Sequence, residues 1–208
     1  MKKILSVLLS TMCLMAITGC SETVKKSGNS DGEQKTTEKE TVSGNSTNKT
    51  ERKVLIAYFS WSGNTEKIAN TIHDEVGGDL FKIEPETAYP TDYDEVMDQA
   101  QEEQSAQVRP KLKENAANIA DYDVVYLGYP NWWGDMPMVL YTFLESNDFS
   151  GKTIIPFCTH GGSGFSGTPN KIKEITGADV QKGLDVRDSS VDDAAETIKQ
   201  WLKSIEIK

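Results

Sequence analysis

Ser60, Trp61, Ser62, Gly63, Asn64 and Thr65, the candidate binding residues of a first loop, follow the apolar run Val54–Phe59 and precede a stretch where Ile68, Ala69, Ile72 and Val76 recur at helical spacing. A continuous apolar run is the pattern of a strand buried on both faces of a parallel sheet. The junction between such a strand and the next helix gathers unpaired backbone N–H groups and the positive end of a helix dipole, and here adds side-chain hydroxyls. That combination holds an anion, most simply a phosphate. The Gly-Lys-Ser/Thr ending of a nucleoside-triphosphate loop is missing, and so are the three spaced glycines of a dinucleotide turn. One terminal monophosphate held by neutral donors fits what remains. A plain helix cap is the alternative, because Ser, Thr and Asn are favoured there in any protein.

A second stretch, Val124 to Pro137, runs from an apolar strand into Tyr129, Pro130, Asn131, Trp132, Trp133, Gly134 and Asp135. Pro137 and the apolar residues after it start a helix, so Tyr129–Asp135 is a loop at the carboxyl end of a strand, where open α/β sheets bind ligands. Two adjacent tryptophans in a loop suit a flat wall for a flat ligand. A core cluster or a protein-binding patch is the other reading. A third strand, Thr153–Cys158, opens into Thr159, His160, Gly161, Gly162, Ser163 and Gly164, with Gly167 beyond. Backbone in such a loop can approach a ligand closely. His160 is the residue there that titrates near neutrality; it either moves charge at the site or caps loop backbone. Cys158 reads as an inert buried thiol. His73 reads as a surface residue, and no metal is expected.

Ser60-x-Ser62-Gly63-Asn64-Thr65 after an apolar strand resembles the phosphate loop of the flavodoxin family, usually Ser/Thr-x-Thr-Gly-x-Thr, with Ser62 in place of the threonine. Tyr129-Pro130-Asn131-Trp132-Trp133-Gly134 is similar to the loop that packs against the isoalloxazine ring in flavodoxins and related quinone reductases. The glycine loop after Thr159 resembles the one whose N–H groups bond the ring's pyrimidine edge. The resemblance runs from about Lys53 to the C-terminus. It implies a doubly wound, five-stranded parallel sheet of order 2-1-3-4-5, and FMN as cofactor. It further implies that one of Trp132 and Trp133 covers a ring face while the other packs inward, that a carbonyl in Asn131–Asp135 can turn toward flavin N5, and that His160 can place charge near N1 or shuttle a proton.

The elements that must position these loops are strand runs at Val54–Phe59, Leu80–Ile83, Val124–Gly128 and Thr153–Cys158, a weaker one near Val180–Val186, and helical stretches between them. This βαβ alternation means a parallel sheet covered on both faces. Between Pro90 and Ala120, Val96, Ala100, Val108, Leu112, Ala116 and Ile119 suggest two helices divided before Pro110. Pro156 conflicts with its place in an inner strand, since it cannot donate to the ladder; a short or frayed fifth strand would remove the conflict.

The N-terminus reads as an export signal: Lys2 and Lys3, then the mostly apolar Ile4–Ile17. Ile17-Thr18-Gly19-Cys20 resembles the lipobox of bacterial lipoproteins, which implies lipidation of Cys20, and two acyl chains suffice for stable anchoring. Residues 21–52 have almost nothing to bury and read as a disordered tether, with a reach of roughly 30 Å. The domain is then 53–208, outside the cytoplasmic membrane. The chain carries a net charge of −10. Loss of Lys2 and Lys3 leaves −12, and six acidic and six basic residues cancel in the tether, so all of it falls on the domain. Such a charge disfavours nucleic acid and anionic lipid surfaces and steers basic redox partners toward it.

The leading reading is therefore an FMN-binding electron carrier. Repulsion in an acidic domain, with no lysine or arginine in any of the three loops, implies a low-potential couple. The alternative is an NAD(P)H-dependent quinone or flavin reductase using bound FMN, and a binding protein without flavin is a third. Lack of a basic residue for a dinucleotide's second phosphate weighs against the reductase, so a carrier is favoured over a turnover enzyme.

Overall fold

The computed structural model describes residues 52–115 and 118–205. The signal peptide, Cys20 and nearly all of the tether lie outside the described residues. Within them, β1 (Val54–Tyr58), β2 (Asp79–Lys82), β3 (Val124–Pro130), β4 (Thr153–His160), β5 (Asp179–Val180) and β6 (Leu184–Arg187) alternate with α1 (Asn64–Val76), α2 (Tyr93–Ser105), α3 (Met138–Glu145), α4 (Thr168–Thr176) and α5 (Ala195–Ser204). The sheet is parallel throughout, in the order β2-β1-β3-β4-β5, with β6 also on β4.

The inner strands are buried on both faces, as their unbroken apolar runs require. On one face Ile56, Tyr126, Ile155 and Phe157 meet Ile68 and Ile72 of α1 and Ile198 and Trp201 of α5. On the other, Leu55, Leu127 and Ile154 meet Val96 of α2, Val139 and Phe143 of α3 and Ile172 of α4. Burying each such aliphatic or aromatic side chain contributes about 1.5–3 kcal/mol. All the strands run in one direction, so the carboxyl ends of β1, β3 and β4 open on one edge of the sheet.

The fifth position holds two short strands rather than one, and Pro156 is the reason. Along β4 the carbonyls of Lys152 and Ile154 accept from Asp179 and Gln181 on the β5 side, at 3.0 and 2.9 Å, whereas the Thr153 N–H and the Thr159 carbonyl face the β3 side. Pro156 therefore turns its missing donor toward the fifth position. The chain leaves the ladder there at residues 181–183 and returns as β6 opposite Phe157. Gly183 fits the gap because a Cβ on it would stand 2.3 Å from the Pro156 carbonyl oxygen.

The expected second helix before Ala120 does not form over the described residues. α2 is capped by Asp92, whose carboxylate accepts from the N–H groups of Asp94 and Glu95 at 3.0 and 3.1 Å. After it the chain turns extended, and Leu112 forms an antiparallel bridge with Pro85. Paired bonds from Glu86 to Lys111 and from Lys113 to Glu84 staple the two segments. A local backbone partner outcompeted the weak apolar periodicity. His73, expected at the surface, is partly buried on α1.

Candidate functional site

At the β1–α1 junction Gly63 takes a left-handed conformation and its carbonyl accepts from the Lys67 N–H at 3.0 Å, which starts α1. The Ser60 hydroxyl accepts from the Glu66 N–H at 3.2 Å. Ser60 thus does the capping work that the plain reading assigned to the whole cluster. The amides of Ser62, Gly63, Asn64 and Thr65 find no acceptor among the described residues, and the Ser62 side chain is exposed without a partner. A nest of unpaired donors at a helix N-terminus, open at Ser62, is chemically suited to a monophosphate.

Two residues of that motif point elsewhere. Thr65 is 1% exposed, and its hydroxyl bonds that of Thr159, equally buried, at 2.9 Å. It ties the start of α1 to the end of β4. Trp61 donates from Nε1 to the Pro90 carbonyl at 2.7 Å. It lines a cavity of about 330 Å³ with Phe59, Tyr89, Lys82 and Lys113, on the β2 side of the junction. Asn64 reaches Asp188 at 3.3 Å.

In the second loop, Trp132 and Asp135 exchange two backbone hydrogen bonds, at 2.8 and 3.0 Å. The residues between them, Trp133 and Gly134, have φ of +53° and +75°. Two positive φ values in a two-residue turn define the type I′ geometry. Glycine adopts it freely, but a tryptophan there costs about 1–3 kcal/mol of strain. The two indoles part company at this turn. Trp132 is 7% exposed and packs edge-on against Phe59 and Tyr89, while Trp133 is 52% exposed and donates from Nε1 to the Met97 carbonyl of α2 at 2.9 Å. The inward and outward members of the pair are therefore Trp132 and Trp133.

Asp135, which closes the turn, is buried. Its carboxylate accepts from the Tyr141 hydroxyl, the Met136 N–H and the Lys171 ammonium. Burial, then this carboxylate, pushes the Tyr141 phenol far above its ordinary range. Asn131 joins the second loop to the third. Its N–H donates to the Thr159 carbonyl at 2.7 Å, its Nδ2 to the Gly164 carbonyl at 2.8 Å and to Ser166 at 3.0 Å, and its Oδ1 accepts from the Gly134 N–H at 3.0 Å. Tyr129 and Pro130 are the last residues of β3 rather than loop, and the Tyr129 hydroxyl is buried against Thr168 at 2.7 Å.

In the third loop Gly161, Gly162 and Ser163 are exposed, with Gly164 partly so. Thr159 and His160 belong to β4 instead. The His160 ring is buried, with Nε2 3.1 Å from an Asp185 carboxylate oxygen and Nδ1 without a partner among the described residues. Cys158 is buried beside it, and burial, reinforced by Asp185, holds its thiol well above the ordinary range. The expectation of no basic group at the loops holds for their own residues, but Arg187 at the end of β6 reaches the third: its Nη1 donates to the Gly161 carbonyl at 3.4 Å. Arg187, Asp185 and Lys171 were not legible as site residues, because the register of β6 and the packing of α4 bring them there.

The family model for flavodoxin matches residues 53–205. The chain belongs to the flavodoxin family. Among solved structures, this flavodoxin-family chain is similar to a candidate flavoprotein from Bacteroides uniformis, with 35% identity and a TM-score of 0.65 over 73% of this chain and 98% of the other. It is also similar to one from Bacteroides eggerthii, with 32% identity and a TM-score of 0.65 over 76% and 99%. A flavoprotein from Lactobacillus acidophilus solved in complex with FMN is 26% identical, with a TM-score of 0.56 over 68% and 97%. No curated protein sequence matches the chain. The α/β fold and strand order expected of a flavodoxin are those observed.

Proposed function

We propose that the domain binds FMN non-covalently and carries electrons, and that Cys20 anchors it by lipid to the outer face of a bacterial cytoplasmic membrane. The observation that supports this reading best is one juxtaposition: a nest of unpaired amides at the β1–α1 junction shares an edge of the sheet with a strained turn that holds an exposed indole. The Lactobacillus relative bound to FMN supports the choice of nucleotide. When bound, FMN supplies the one- and two-electron chemistry that side chains lack.

In this reading the Ser62 hydroxyl and the amides of residues 62–65 hold the phosphate. Trp133 lies beside the flat ring, and the amides of residues 161–164 bond its polar edge. Asn131 keeps the second and third loops in register. Asp185 fixes His160 beneath the third loop, and a carrier requires no acid or base from it. The acidic surface favours a basic docking face on the redox partner. The lipid anchor rests on Ile17-Thr18-Gly19-Cys20. None of the described helices is long and apolar enough to cross a membrane.

Purification of the protein tests the cofactor. A yellow protein that releases FMN on acid treatment is expected, and a colourless one that takes up no added FMN contradicts the reading. Rapid NAD(P)H oxidation with a quinone acceptor would favour the reductase alternative over the carrier. Lipid labelling that is unchanged in Cys20→Ala would remove the anchor.

A further inference from the structure

Arg187 ends β6 in register with His160, and its guanidinium lies against the backbone of the third loop. Besides the bond to Gly161, it lies in van der Waals reach of Gly162, where a Cβ would stand 3.4 to 3.6 Å from Nη2, Nη1 and Cζ. Neither neighbouring carboxylate pairs with it. Asp185 is bonded to His160 at 3.1 Å, and Asp188 accepts from Asn64 at 3.3 Å. The nearby ammonium groups are otherwise engaged, Lys171 with Asp135 and Lys67 with Asp192. A guanidinium is charged at every working pH, so the third loop carries a fixed positive charge with no carboxylate partner among the described residues.

The geometry points to Arg187 as the residue that sets how strongly the site prefers reduced over oxidised FMN. The inference rests on the FMN reading above. Two electrons and one proton, supplied by an external donor and the solvent, leave the bound ring with one more negative charge than before. In a domain of net charge −12 that change is opposed, and a cation against the loop beside the ring offsets it. Arg187 is exposed, so salt screens part of the effect.

The test uses the full-length chain, FMN-loaded, in a dithionite titration against redox dyes, with wild type, Arg187→Gln, Arg187→Lys and Arg187→Glu. Arg187→Gln should lower the ratio of reduced to oxidised FMN affinity about three- to tenfold, a shift of about 14 to 30 mV toward negative potential at 29.6 mV per decade for the two-electron couple. Arg187→Glu should lower it further, Arg187→Lys should restore most of it, and 0.5 M salt should shrink every difference. The affinity for oxidised FMN should change less than about twofold. Bound FMN whose potentials ignore the charge at position 187 overturns the role of Arg187 alone. A wild-type chain that takes up no FMN overturns the reading beneath it.

Discussion

Thr65 and Thr159 face each other across the β1–α1 and β4 elements with their hydroxyls 2.9 Å apart and out of solvent. A buried hydroxyl that loses its partner keeps its desolvation cost, whereas removing both is close to neutral. Thr65→Val or Thr159→Val should each destabilise the domain by about 1–3 kcal/mol, and the double variant should recover much of the loss. Urea unfolding of the four proteins as a double-mutant cycle checks this; additive losses would show the pair to be uncoupled.

Ser62 is different, because it is exposed and its hydroxyl has no partner among the described residues. Ser62→Ala should leave stability within about 0.5 kcal/mol of wild type. The same change should weaken FMN roughly tenfold or more, the worth of a hydrogen bond to a charged group, and leave riboflavin binding unchanged. Fluorescence titration of both flavins reads the difference.

The Lys171–Asp135 pair should matter to the exposed indole more than to the core. Lys171→Met leaves a buried carboxylate with neutral donors only, but the Lys171 side chain is 44% exposed, so a loss of about 1–2 kcal/mol is expected. Relaxation of the turn should then broaden Trp133 fluorescence and speed its acrylamide quenching. Unchanged quenching in Lys171→Met would show that the pair does not hold the turn.

Much of this architecture could be read from residue types alone. The apolar runs of β1, β3 and β4 announced strands buried on both faces, and the hydroxyl cluster after Phe59 marked the junction. Two kinds of information were missing. The division of the Trp132–Trp133 pair depends on φ at Trp133, which no residue type encodes. Arg187 and Asp185 reach the third loop through the register of β6, and β6 exists as a separate strand because Pro156 cannot donate. The proline was visible in the sequence, but the place where the chain would leave the ladder was not. The failed helix before Ala120 shows the converse, an apolar period overridden when Leu112 found a backbone partner at Pro85.

The split strand depends on the close approach of Gly183 to Pro156. Gly183→Ala would place a methyl group 2.3 Å from the Pro156 carbonyl oxygen. Backbone must shift to accept it, at a cost of about 1–3 kcal/mol or more. A Gly183→Ala variant with the wild-type melting temperature would show that the close approach is not required.

Cys158 gives a pH dependence of defined sign. Its folded-state thiol stays protonated well above the ordinary range, chiefly through burial. The unfolded chain ionises near pH 8.5, so stability is complete below that pH and falls as pH rises through it. Cys158→Ala should abolish this decline between about pH 8.5 and 10. Native protein should also resist a thiol reagent at pH 8 until it is unfolded; prompt reaction would contradict the burial.

In the proposed function, neutral donors at the β1–α1 junction hold a phosphate. Equilibrium binding of FMN and of riboflavin to the same apoprotein tests it most directly, because the two differ only in that group. FMN should bind tighter than riboflavin by about a hundredfold or more, from two or more bonds to a charged oxygen. Equal affinities would contradict it.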